Sequence, residues 1–168
     1  MNPALISKAK KIKLVITDID GVWTDAKMYY SADGMAFKAF SYYDGMGVSL
    51  LKKAGLHVAI ITGEFSKEVE VRAKKLNIED VYLGESNKLS ILEKLLVKYE
   101  LTTDEVAYIG DDINDYECMQ VAGFTAAPPN TPVFSMLSPD ILLTRRGGDG
   151  AFREFADIIL LAKGLSKN

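Results

Sequence analysis

Short apolar runs separated by amphipathic segments restrict this chain to a narrow set of folds. The runs are Leu14–Thr17, Val58–Ile61, Val81–Leu83 and Val106–Ile109, with a weaker pair at Phe124–Ala127 and Ile141–Leu143. Each is strand-length and lies between helical or turn-forming stretches, as buried strands do. Between them, helical periodicity covers roughly Gly45–Ala54, Ser66–Leu76, Lys88–Tyr99, Asp115–Val121 and Ala151–Lys163. Strand and helix in alternation predict an α/β fold built on a parallel, doubly wound sheet. The chain of 168 residues is the size of one domain, 1–168, with no linker, repeat or low-complexity segment.

One stretch breaks the alternation. Between Val22 and Tyr43, the runs Lys27–Tyr30 and Met35–Phe40 flank Ser31-Ala32-Asp33-Gly34, and Asp-Gly between β-prone runs signals a hairpin. Following the first strand directly, it is expected to stand over that strand's carboxyl end as a flap spanning about 22–43. Pro128-Pro129-Asn130-Thr131-Pro132 reads as a rigid loop.

The chemistry-bearing residues gather at the carboxyl ends of the predicted strands, where open α/β sheets bind ligands. Asp18 and Asp20 lie two apart at the end of the first strand, so their side chains are expected to project together. Two like charges that close call for a cation between them or a proton on one of them. Thr62-Gly63 follows the second strand, where a hydroxyl and an unobstructed backbone N–H at a helix start make a phosphate seat. Lys88 opens the next helix but one, where an ammonium can neutralise a phosphoryl oxygen. Gly110-Asp111-Asp112-Ile113-Asn114-Asp115 follows the fourth strand with the oxygen ligands that Mg²⁺ prefers.

Bulk properties narrow the partner. A formal net charge of -3 and a pI of about 5.2, with no basic stripe beyond Lys8, Lys10, Lys11 and Lys13, argue against nucleic acid or an anionic membrane. A small anionic ligand held by local positive charge is expected instead. Cys118 is the single cysteine, which excludes an intramolecular disulfide and a cysteine metal site. With no apolar run of membrane-spanning length and no signal-peptide core in residues 1–12, a cytoplasmic location is expected.

Taken in order, Asp18-x-Asp20, Thr62, Lys88 and Gly110-Asp111-Asp112-x-x-Asp115 resemble the motifs of the haloacid dehalogenase superfamily of phosphotransferases, across nearly the whole chain. The resemblance implies a Rossmann-like domain in which Asp18 attacks phosphorus and forms an aspartyl-phosphate. Asp20 would protonate the leaving oxygen and then activate water. It further implies Mg²⁺ held by Asp18, Asp111 and the Asp20 backbone carbonyl, phosphate bound by Thr62, Gly63 and Lys88, and Asp112 and Asp115 behind them in supporting or capping positions. A carboxylate is ionised at neutral pH, so Asp18 needs no base to act as nucleophile.

Thr17-Asp18-Ile19-Asp20-Gly21-Val22-Trp23-Thr24-Asp25, the lack of a cap-sized insertion and the late Arg146-Gly147-Gly148-Asp149-Gly150 run resemble the small phosphatases of 3-deoxy-2-ulosonic acids. These act on 3-deoxy-D-manno-octulosonate 8-phosphate or 2-keto-3-deoxynononate 9-phosphate. The resemblance implies a homotetramer whose hairpins form a central barrel and whose neighbouring subunits help close each site, yielding a free sugar acid for surface-glycan synthesis. Octulosonate enzymes typically carry Arg after the Thr-Gly pair, whereas Glu64 stands here, with Arg72 and Lys75 on one face of the next helix. These three are read as substrate-binding, with Glu64 selecting sugar hydroxyls or holding a cation, and they tip the expectation slightly towards the nine-carbon substrate. A phosphomutase or phosphotransferase, a receiver-like signalling module and a non-catalytic sugar-phosphate binder are the rival readings. His57 and Cys118 are read as structural, and the aromatics Trp23, Tyr29, Tyr30, Phe37 and Phe40 as packing on the body or on another subunit.

Overall fold

The computed structural model describes residues 2–165. In chain order the elements are α1 (Pro3–Lys11), β1 (Leu14–Thr17), β2 (Tyr29–Ser31), β3 (Gly34–Phe37), α2 (Tyr42–Lys53), β4 (His57–Thr62), α3 (Lys67–Lys75) and β5 (Asp80–Leu83). They continue with α4 (Lys88–Tyr99), β6 (Val106–Ile109), α5 (Tyr116–Val121), β7 (Phe124–Ala127), α6 (Phe134–Leu137), β8 (Ile141–Leu142) and α7 (Ala151–Ala162). The main sheet has the order β5-β4-β1-β6-β7-β8, with all neighbours parallel. The chain leaves β1 towards β4 and β5, then returns to lay β6 on the other side. The crevice between β1 and β6 is therefore the topological switch point, the place where ligands of such sheets bind.

Alternation along the strands divides the core. Leu14, Ile16, Ala59, Ile61, Val106 and Tyr108 face the layer holding α4, α5 and α6. Val15, Val58, Ile60, Ala107 and Ile109 face α1, α2, α3 and α7. With both faces covered, β1, β6 and β7 are buried along their whole length, which is why they read as continuous apolar runs.

Capping side chains set the helix starts. Ser41, Ser66 and Asn87 accept from the backbone N–H groups of Tyr43, Val69 and Ser90 at the starts of α2, α3 and α4. The Ser41 cap starts α2 at Tyr42, ahead of the first apolar periodicity. The Ser66 cap delays α3 to Lys67, so Gly63 lies in a turn before that helix and does not open it. Two elements escaped the apolar pattern. Helix α1, whose last turn carries Lys8, Lys10 and Lys11, is begun by Asn2 with Pro3 in its first turn, and α6 is a four-residue turn after the proline-rich loop.

The hairpin is present but shorter than expected. Ser31 pairs with Gly34, so Ala32 and Asp33 form the turn, and Gly34 enters β3 with φ +115°. Tyr29 and Phe37 stack across it with ring centroids 4.6 Å apart, and both are substantially exposed. Trp23 does not belong to it: the indole is fully buried, 5.2 Å from the Phe152 ring, and Nε1 donates to Thr17 Oγ1 at 2.9 Å. Phe40 packs at the edge of the main core. His57 stacks on Tyr99 at the start of β4, and Cys118 is buried in the second core. Among the described residues no helix is long and apolar enough to cross a membrane.

Trp23 ties the turn after β1 to the core, because Thr17 Oγ1 in turn donates to the Asp18 carbonyl at 2.6 Å. Trp23→Phe is expected to cost about 1–3 kcal/mol through lost volume and an unmet hydroxyl. Urea unfolding at wild-type stability would contradict this coupling.

Candidate active site

The residue order after β1 forces a tight turn. The Ile19 carbonyl accepts from the N–H groups of Val22, Trp23 and Thr24 at 3.1, 2.8 and 3.2 Å. Gly21 sits at φ +87°, where a Cβ would lie 1.7 Å from Asp111 Oδ2. Only glycine lets the turn approach the acidic loop after β6 this closely. Thr24 Oγ1 accepts from the Gly21 and Ala26 N–H groups and donates to Asp20 Oδ1 at 3.3 Å.

Asp115 organises the other wall. Its Oδ1 accepts from Lys88 Nζ and Tyr108 Oη, each at 2.7 Å, and its Oδ2 accepts from the N–H groups of Asp111 at 2.9 Å and Asp112 at 3.3 Å. The fully buried carboxylate is thus engaged on both oxygens and aims the Asp111 backbone. Asp112 caps the short 3₁₀ turn Ile113–Asp115 through a bond from Ile113 N and is itself exposed.

Lys88, itself buried, reaches Asp18 Oδ1 at 2.9 Å. Burial opposes its charge, but Asp18 and Asp115 outweigh that penalty and hold the ammonium protonated. The balance among the acids is incomplete. Asp18, Asp111 and Asp115 each offer an oxygen within 4.8 Å of the others, all three are buried, and Lys88 brings one compensating charge. Burial, then the Asp115 charge, pushes Asp18 up to about 7. Burial, then the charges of Asp18 and Asp115, pushes Asp111 up to about 8. Asp18 Oδ1 is buried and, despite its contact with Lys88, lacks a partner in hydrogen-bond geometry among the described residues. An unbonded buried oxygen in an acid cluster short of two positive charges fits a hard divalent cation such as Mg²⁺.

Asp20 faces the mouth. Lys38, from the segment after β3, places Nζ 2.6 Å from both Asp20 oxygens and 2.8 Å from Glu64 Oε2, with its side chain only 2% exposed. Its burial favours the neutral amine, yet the two carboxylates prevail and raise its pKa. A cleft of about 410 Å³ is bounded by Asp18, Asp20, Thr62, Gly63, Glu64 and Asp111, with Met28 and Asn114 also on its walls. The structure therefore brings together Asp18, Asp20, Thr62, Gly63, Glu64, Asp111 and Asp112, with Lys88 and Asp115 beneath them.

Arg72 and Lys75 lie elsewhere, lining a hollow with Phe40 and Val71, where Arg72 donates to the Ser41 carbonyl at 3.2 Å. Arg146 and Gly147 border a second hollow beside the cleft, shared with Asp111, Asp112, Lys27 and Asn130. Arg153 pairs with Asp157 at 2.9 Å. Sequence reasoning missed Lys38, Tyr108 and Thr24. For Lys38 the available signal was a lone lysine between aromatic neighbours in Phe37-Lys38-Ala39-Phe40.

This geometry agrees with comparisons to known proteins. Residues 43–123 match the family described as haloacid dehalogenase-like hydrolase. The chain is 38% identical over 164 residues to the 3-deoxy-D-manno-octulosonate 8-phosphate phosphatase KdsC of Salmonella typhimurium, covering 98% of this chain and 87% of that protein. The chain belongs to the haloacid dehalogenase-like hydrolases. Within that family it is a phosphoric monoester hydrolase. The crystal structure of the corresponding phosphatase from Yersinia pestis superposes with a TM-score of 0.95 at 36% identity, over 98% of this chain and 89% of that one. A Moraxella catarrhalis phosphatase solved with magnesium, phosphate and KDO gives 0.91 at 39% identity, over 95% and 92%. The hydrolase fold is therefore the doubly wound one expected, without a separate cap. Its cofactor is Mg²⁺, and Asp18, Asp111 and Asp115 form a buried group of acids able to hold a metal ion.

Two outcomes follow from the site. Gly21→Ala would drive Asp111 from its place, and a displacement on the ångström scale is expected to lower hydrolysis about 100-fold; an active variant contradicts the packing. In chelator, Asp18 and Asp111 bind protons more tightly folded than unfolded. Their stabilising contribution is full below about 3.8 and is lost as pH rises through about 7 and about 8. Saturating Mg²⁺, at about 100 times its Kd, should restore about 2.7 kcal/mol and raise Tm by about 5–10 °C. The gap between Tm in Mg²⁺ and in chelator should widen from about pH 5.5 to about pH 8.5. A gap independent of pH would contradict the charge argument.

Proposed function

We propose that this hydrolase removes the terminal phosphate of a 3-deoxy-2-ulosonic acid phosphate in a Mg²⁺-dependent reaction, with 3-deoxy-D-manno-octulosonate 8-phosphate as its foremost substrate. The observation that carries the reading is the buried Asp18, with an unbonded oxygen beside Lys88 at the floor of the cleft, in a chain whose near-full-length relatives are named for that activity. The Asp18 carboxylate attacks phosphorus as the bond to the sugar oxygen breaks, giving an aspartyl-phosphate. Asp20 donates a proton to the departing oxygen and then accepts one from the water that frees phosphate. Thr62 Oγ1, the Gly63 N–H and the Lys88 ammonium bind phosphoryl oxygens. Asp18, Asp111 and the Asp20 carbonyl would hold Mg²⁺, which supplies the positive charge that lets two anions meet.

The nine-carbon 2-keto-3-deoxynononate 9-phosphate stands as a second reading, because Glu64 borders the cleft in place of the arginine of octulosonate enzymes. Arg72 and Lys75 open on a different hollow of their own chain. For them to reach a substrate carboxylate, the site must belong to a neighbouring copy. The exposed Met28, Tyr30 and Phe37 of the hairpin region support such self-association, which we extend to a tetramer. A short hairpin leaves the cleft open to water, which favours hydrolysis over transfer to another sugar.

Phosphate release measured with Mg²⁺ tests the reading. Asp18→Asn should lose at least about a thousandfold in kcat while keeping its circular dichroism spectrum. Higher kcat/KM for the eight-carbon substrate is expected. Preference for the nine-carbon one would reverse the choice, and release from neither would refute the function.

A further inference from the structure

Lys38 has no part in the chemistry described so far, yet its placement is demanding. The segment after β3 delivers a side chain that is 2% exposed, whose ammonium touches both oxygens of Asp20 at 2.6 Å and Glu64 at 2.8 Å. A buried lysine without a partner would be strongly destabilised, so its position is dictated by these two carboxylates. They come from different elements: Asp20 from the turn after β1, and Glu64 from the turn after β4. Thr24 Oγ1 makes the remaining described contact to the Asp20 carboxylate, at 3.3 Å.

Resting on the phosphatase reading above, we propose that Lys38 is a positioning residue for Asp20, and that Glu64 anchors Lys38. The pairing fixes the Asp20 carboxyl at the edge of the cleft, within the lining that also holds Asp18 and Thr62. Glu64 gives the ammonium a counter-charge that does not take part in proton transfer. When Asp20 carries the proton destined for the leaving oxygen, Lys38 stays paired with Glu64 and keeps its place. The proton passes from Asp20 to the bridging oxygen as the phosphorus–oxygen bond breaks and the Asp18–phosphorus bond forms, and Lys38 gives up none. Because Lys38 follows β3 directly, the hairpin and the proton donor are mechanically joined.

An ester that needs a proton on its leaving group separates this role from general support. Alkyl sugar phosphates need one, whereas p-nitrophenyl phosphate does not. Single-turnover rates with Mg²⁺ would be measured for 3-deoxy-D-manno-octulosonate 8-phosphate and p-nitrophenyl phosphate in wild type, Lys38→Met and Glu64→Gln. The readout is the ratio of alkyl to aryl rates, which does not depend on the fraction of protein folded. The ratio should fall about 100-fold in Lys38→Met, the low end of what a general acid contributes, and about tenfold in Glu64→Gln. Folding should survive the substitution, since the side chains of Asp20 and Glu64 are 29% and 30% exposed and can be hydrated. A ratio unchanged in Lys38→Met, or a loss shared equally by both esters, overturns the inference. A wild type inactive on both esters would bring down the phosphatase reading itself. An active wild type with an indifferent Lys38→Met would bring down the Lys38 assignment alone.

Discussion

The ammonium of Lys88, buried between Asp18 at 2.9 Å and Asp115 at 2.7 Å, is the contact from which the rest of the site is arranged. It lets acids from two adjacent strand ends share the switch point of the sheet, and it leaves them short of positive charge. Lys38 makes a similar bridge at the mouth, between Asp20 and Glu64. The two clusters differ in solvent. Around Lys88 the carboxylates are buried, so the missing charge cannot be supplied by water and a divalent cation is favoured. Around Lys38 the carboxylates are partly exposed and open to hydration.

Close backbone approach makes this arrangement possible. A Cβ on Gly110 would fall 2.4 Å from Asp115 Cγ, and one on Gly147 would fall 1.8 Å from the Gly21 carbonyl oxygen. The Arg146–Gly148 loop thus rests on the turn that carries Asp20, although it is distant in sequence. Gly147 N donates to Asn130 Oδ1 at 2.8 Å, and Gly148 N to the Val22 carbonyl at 3.1 Å. The turn that carries Asp20 is held by Trp23 on the core side and by this loop on the other.

Much of this was legible in the residues. The apolar runs located the six strands of the main sheet, because a parallel sheet covered on both faces leaves no polar alternation to obscure them. The gathering of Asp18, Asp20, Thr62, Lys88 and Asp111 at one edge of the sheet was legible because each ends or follows a strand or opens a helix, where local pattern fixes position. Helix α1 was not, since its lysines hide a single buried face at Ala9. The reach of Lys38 was not, because a hairpin's tilt over the sheet depends on packing and not on local propensity. Arg72 and Lys75 share a helix face as their spacing indicates, but spacing does not say which hollow that face meets. Gly63 does not open a helix, because Ser66, four residues beyond Thr62, is the residue that caps α3.

In the proposed reaction Asp18 becomes covalently phosphorylated and Asp20 is needed to release the phosphate. Asp20→Asn offered p-nitrophenyl phosphate with Mg²⁺ dispenses with the proton donor but lacks the group that activates water. Acid quenching followed by peptide mass spectrometry should find one phosphoryl group per chain, on the peptide containing Asp18. Rapid nitrophenolate release with no phosphoryl group on that peptide, or with the group on another residue, would contradict the account.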